Sequence, residues 1–173
     1  MSGPVSVGKL LGDEILYWLQ SRSQVVALSL LQFGWQKNPY SPGQAYPANP
    51  YLQCPRLMLR YEGSSLSPGP PQGGQAHDVT YAYSLFYYRR QTPGQEHQQL
   101  ICIDVESIVS CFTLEAFHPS LIESLSGWQS YSLVPVQVSY HDEMKHEFDD
   151  PSLRVSIAEI SVKATGRITN CPG

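Results

Sequence analysis

Hydrophobic and small or polar positions alternate without a break from Asp78 to Arg90, in the run DVTYAYSLFYYRR. Val79, Tyr81, Tyr83, Leu85 and Tyr87 fall on one side, and Thr80, Ala82, Ser84, Phe86 and Tyr88 on the other. A period of two with β-branched and aromatic residues predicts a strand with two unlike faces. One face reads as core. The other mixes rings with small polar groups, as a surface does when it packs on something else part of the time.

The pattern changes on either side of this strand. Val7, Leu10, Leu11, Ile15, Trp18 and Leu19 recur at three- and four-residue steps, which predicts an N-terminal helix with Ser6 as its N-cap. Gln24–Phe33 is apolar enough to read as a buried strand or a packed arm. Arg56–Glu62 alternates again, with Leu57, Leu59 and Tyr61 on one face. A second helix is predicted from about Gln98 to Phe117, its apolar side formed by Ile101, Val105, Ile108, Val109, Phe112 and Ala116. A short helical turn is expected after Pro119, and strands over Ser132–Tyr140 and Leu153–Ile168 close the chain.

Three segments interrupt these elements. Residues 34–55 form an extended Pro- and Tyr-rich loop, because the four prolines of Asn38–Tyr51 remove amide donors and restrict the residues before them. Residues 63–77, GSSLSPGPPQGGQAH, are low in complexity and predict a flexible loop between two paired strands. Residues 141–151 form a charged hairpin tip that belongs in solvent. The resulting order, α-β-β-β-α-β-β, predicts a single α+β domain over residues 1–173. Its sheet is mainly antiparallel, with two principal helices packed on one face and long hairpin loops.

Composition narrows what such a domain does. Charged residues make up only 15% of the 173, while 11 tyrosines and 14 prolines are prominent. Tyrosine gives large contact area with a polar tip, so this balance favours a surface covered by partners. The formal net charge of −4 argues against a protein that grips nucleic-acid phosphates, although Arg56, Arg60, Arg89 and Arg90 gather on neighbouring predicted strands. No stretch approaches the roughly 18 apolar residues of a membrane span, and the N-terminus lacks the pattern of a signal peptide. Cys54, Cys102, Cys111 and Cys171 are scattered without a C-x-x-C pair and are expected to be free thiols.

Catalytic chemistry finds little support. The sequence contains no G-x-S-x-G, no phosphate-cradling G-x-x-x-x-G-K-[ST] and no G-x-G-x-x-G. His141 and His146 are five positions apart, not the four that place two imidazoles on one helical face. The cluster of His141, Asp142, Glu143, His146, Glu147, Asp149 and Asp150 offers ligands for a divalent ion, but it reads better as a solvated tip. Asp149 and Asp150 lie without an apolar pocket to shift a pKa, and Cys111, with His97 or His118 as its nearest candidate base, sits at the margin of a buried stripe where thiols are inert. The expectation is a non-enzymatic protein with no catalytic residue, cofactor or metal.

The arrangement resembles the tail-terminator and tail-completion proteins of long-tailed bacteriophages. The resemblance is carried by element order and strand texture over residues 7–168. An N-terminal helix precedes a Pro-rich loop and the strand RLMLRYEG. A long strand then ends in paired arginines and leads through Pro93-Gly94 to an amphipathic helix, before a final hairpin whose last strand is RVSIAEISVKATGRI. The Asn38–Tyr51 loop and the first apolar segment go beyond that pattern. The resemblance implies a homo-oligomeric ring, a hexamer, that caps the tail tube and joins it to the neck connector. DNA would pass through its channel without sequence-specific binding, and the ring, assembled in the host cytoplasm, would end in the tail–neck region of the virion. Candidate contacts to neighbouring subunits or partners are Tyr40, Tyr46, Tyr51, Arg60, Tyr88, Arg89, Arg90, His141 and Asp142, with Arg89 and Arg90 expected to reach outward instead of pairing internally. Two alternatives stay open: another neck or tail-tube component, or a monomeric ligand-binding domain with Tyr81, Tyr83 and Tyr87 lining a pocket.

Overall fold

The computed structural model describes residues 7–36, 54–68, 77–91, 96–114, 128–141 and 155–168. In chain order the elements are α1 (Val7–Gln20), α2 (Ser23–Val26), β1 (Gln32–Trp35), β2 (Arg56–Pro68), β3 (His77–Arg90), α3 (His97–Leu114), β4 (Trp128–His141) and β5 (Val155–Ile168). The strands form one sheet in the order β1-β2-β3-β5-β4, antiparallel except for the parallel pair β1–β2. This is an α+β fold with two helices packed against a mostly antiparallel sheet, as the alternation and the two helical stripes predict.

The long alternating strand is central: β3 pairs with β2 from Arg56↔Tyr88 to Pro68↔His77, and with β5 from His77↔Ile168 to Arg90↔Val155. Its odd-numbered side chains enter the main core. Leu11, Ile15 and Leu19 of α1 and Ile101, Val105 and Ile108 of α3 bury against Leu57, Leu59, Tyr83, Leu85, Tyr87, Ile160 and Val162. Each fully buried aliphatic side chain there contributes about 1.5–3 kcal/mol of transfer free energy. Trp18 and Phe112 join the two helices, with ring centroids 5.3 Å apart.

Several boundaries differ from the sequence reading, for local physical reasons. Gln24–Phe33 is not one strand: α2 forms first, Ser29 takes a left-handed φ of 51°, and only Gln32–Trp35 joins the sheet. Val26 and Leu31 are exposed, so the run is less buried than its hydropathy suggested. Gly34 and Trp35, placed in a loop by their neighbours' prolines, belong to β1. Ser64–Pro68 likewise continue β2 as ladder partners of His77–Tyr81, so both ends of the low-complexity segment are strand, and residues 69–76 lie outside the described residues. Gly63, at φ +128°, takes up the bulge between Tyr61 and Gly63 that a side chain would strain. The predicted Ser6 cap, the Asn38–Tyr51 loop, the turn after Pro119 and the 142–151 part of the charged tip lie outside the described residues.

Helix α1 is seated unusually close to the sheet edge. A Cβ built at Gly12 would overlap the six-membered ring of Trp35, and one at Gly8 would come within 2.9 Å of the Tyr61 ring. The Trp35 indole is held there by its Nε1–H, which donates to Asp13 Oδ1 at 2.7 Å. At an open helical position glycine to alanine gains up to about 1 kcal/mol in propensity. Here the sign reverses: Gly12→Ala displaces Trp35 and is expected to lower the unfolding free energy by about 1–3 kcal/mol, read from the midpoint of urea unfolding. A midpoint that rises would show that the ring moves aside freely.

Candidate assembly interface

The even-numbered side chains of β3 build the second face of the sheet, on which no described helix packs. Cys54, Phe86, Tyr88, Val155 and Ile157 form a small buried cluster there, with Met58 against it. The registers Arg56↔Tyr88, Met58↔Phe86 and Tyr88↔Ile157 place these residues side by side across β2, β3 and β5. β-Branched and sulfur-bearing neighbours on adjacent strands flank these two rings, which are only 8% (Phe86) and 5% (Tyr88) exposed.

Arginines lie over those rings. The guanidinium carbon of Arg56 is 4.0 Å from the Tyr88 ring centroid, and that of Arg60 is 4.7 Å from the Phe86 centroid. Arg60 Nε also donates to Glu62 Oε1 at 2.5 Å, and Ser84 Oγ donates to Glu159 Oε1 at 2.9 Å. Such stacked pairs contribute about 0.5–2 kcal/mol, more as they are desolvated. Around Tyr88 the polar accounting does not close. Gln36 Nε2 donates to the Tyr88 hydroxyl at 3.4 Å, while Gln36 Oε1 and Arg56 Nε are buried without a hydrogen-bond partner among the described residues. Buried polar groups left unmatched cost about 1–3 kcal/mol each.

The opposite side of the same strands is closed. Tyr83 donates its hydroxyl to the Gly8 carbonyl at 2.6 Å, and Tyr87 donates to Asp104 Oδ2 at 2.7 Å. Arg89 pairs with the same Asp104 oxygen. Burial first, and then the hydrogen bond to Asp104, push the Tyr87 phenol well above its ordinary value; burial does the same at Tyr83 and Tyr81. With their rings in the core and the Tyr83 and Tyr87 hydroxyls bonded to backbone and carboxylate, these tyrosines serve packing and not a ligand pocket. The thiols are no more available. Burial pushes Cys54 up to about 11, against the lowering effect of Arg56 and Arg90, and raises Cys111 as well. Both stay protonated at neutral pH, and Cys54, Cys102 and Cys111 are free thiols.

A scan against protein-family models finds no match, and neither does a search of curated proteins. The candidate surface therefore stands on its own geometry.

The predicted contact residues divide accordingly. Arg60 and Tyr88 lie together on the second face, and Arg90 shares it by alternation. Arg89 does not: one step along the strand turns its side chain to the helix face, where it meets Asp104. The expectation that both arginines avoid internal pairs is corrected for Arg89. His141 ends β4, with its backbone opposite Ile157. Tyr40, Tyr46, Tyr51 and Asp142 lie outside the described residues. Asp104 and Gln36 escaped the sequence reading. Asp104 had a signal: a carboxylate beside the apolar stripe of a helix that follows a strand ending in arginine.

Proposed function

We propose that this chain is an assembly subunit of a long-tailed bacteriophage particle, a tail terminator that closes into a ring of six copies. The ring caps the tail tube, meets the neck connector on its other side, and lets DNA pass through its channel without reading its sequence. The observation that carries this reading is the arginine–aromatic face. It combines stacked guanidiniums, buried rings and two unmatched polar atoms on the side of the sheet opposite both packed helices. Aromatic residues and arginine are the types enriched where proteins meet. The element order supports the reading, and so does the formal charge of −4, since a lumen that DNA traverses should not hold phosphates. A monomeric pocket protein is less well supported, because the tyrosines that would line its pocket are packed in the core.

Electron microscopy of the purified protein, with and without polymerising tail-tube subunits, tests this function. Closed rings with a central channel that halt tube growth are expected. Open stacks would favour a tube subunit, and unchanged tube lengths would remove the terminator role.

A further inference from the structure

Resting on the ring reading, we propose that the sheet continues edge to edge from one copy to the next. The outer edge of β4 over residues 128–137 pairs with the outer edge of β2 over residues 60–68 of a second copy. Among the described residues both edges are open there. β1 covers only residues 56–59 of β2, and the last backbone bond on that side runs from the Gln36 N–H to the Leu59 carbonyl. Beyond it no described strand lies outside β2, and Arg60, Tyr61, Glu62, Ser64 and Ser65 are exposed. β4 ends the sheet on the other side, with Val134 44% and Val136 50% exposed. A row of unpaired N–H and C=O groups is a template for a further strand. Edges that must stay single are guarded by charge, lysine above all, yet the 14 residues of β4 include no Asp, Glu, Lys or Arg. Pro135 removes at most one donor from that edge.

Direction, level and charge select a second copy as the occupant. Through the antiparallel pairs β2–β3, β3–β5 and β5–β4, β4 runs antiparallel to β2. A copy brought alongside by rotation about an axis along the strands therefore presents β4 to β2 in the antiparallel sense. The levels also match: Arg60 lies in line with Ser84, Ser161 and Gln137, and Pro68 with His77, Ile168 and Trp128. The uncovered part of β2 thus stands at the height of residues 128–137, whereas β1 already fills the height of residues 138–141. Nine residues of strand give a ladder about 30 Å long. Arg60 and Glu62 pair with each other, so the β2 edge brings no unmatched charge to the uncharged β4. Contact between two unlike edges is heterologous, the type that generates a ring when the rotation closes.

Two double variants test the pairing, each guarding one edge at exposed positions. Val134→Lys with Val136→Lys blocks β4; Ser64→Lys with Ser65→Lys blocks β2. Each alone is expected to raise the concentration for half-assembly at least about tenfold. Mixed in equal amounts they should form a capped dimer of twice 19.3 kDa, because the free β4 of one variant meets the free β2 of the other and no further edge remains. Thermal melts report folding, and Val136→Lys or Ser64→Lys alone replaces a pair that unfolds. Rings that persist in both variants overturn the edge pairing and leave the ring reading standing. Loss in only one variant overturns the head-to-tail pairing; dimers of the β2-blocked variant by itself would show β4 pairing with β4 instead. Two monomeric variants that give no dimer on mixing overturn it as well. A monomeric wild type overturns both readings.

Discussion

Asp104→Ala is expected to lower the unfolding free energy by about 3 kcal/mol. Asp104 is the shared acceptor of the Tyr87 hydroxyl and the Arg89 guanidinium, with side-chain exposures of 15% for Asp104 and 29% for Arg89. Its removal leaves a part-buried cation and a buried phenol without their partner, and that asymmetry makes breaking a pair costlier than the pair's net worth. Tyr87→Phe, which deletes one donor and keeps the ring, should cost only about 1 kcal/mol. Urea unfolding of both variants measures this. A loss below about 1 kcal/mol for Asp104→Ala would mean that Arg89 finds solvent or another carboxylate, and that the α3–β3 tie is not a structural element.

Alkaline pH should unfold the protein from within its core. Tyr81, Tyr83 and Tyr87 all have folded-state values raised above the ordinary 10.0, with burial as the leading cause. The fold therefore favours the neutral phenols. Their stabilising contribution is complete below pH 10, and it is lost as pH climbs through the window above, where the unfolded chain can ionise and the folded one resists. Each strongly shifted tyrosine removes up to about 1.4 kcal/mol per pH unit in that window. Cys54, raised from 9.0 to about 11, adds a loss that begins near pH 9. The last part of the rise in tyrosinate absorbance should coincide with loss of secondary structure, and Tyr83→Phe should flatten the decline. Ionisation of all 11 tyrosines in a protein that stays folded would contradict the burial assigned to Tyr81, Tyr83 and Tyr87.

The parts of the fold legible in the sequence are those where one physical signal acts alone. Strict alternation located β3 and its two faces, because side-chain direction in a strand has no other period. The three- and four-residue steps located α1 and α3 for the same reason. Competing signals hid the rest. The apolar run from Gln24 to Phe33 carries no period, so the short helix, the left-handed Ser29 and the four-residue β1 could not be separated. Glycine and serine concealed the continuation of β2 through Pro68, where ladder pairing with β3 overrides weak propensity. The site was half legible. Composition pointed to arginines and aromatics, and alternation separates Arg90 from Arg89 once the strand is accepted. That a guanidinium lies flat on Tyr88 while its Nε goes unmatched depends on neighbours from β1 and β5, which no local pattern reports.

Assembly is the claim on which the rest depends, and the native mass of the purified protein in solution measures it directly. Light scattering coupled to size separation should find one species near six times the 19.3 kDa subunit mass. A single species at 19.3 kDa across the accessible concentration range would contradict the account.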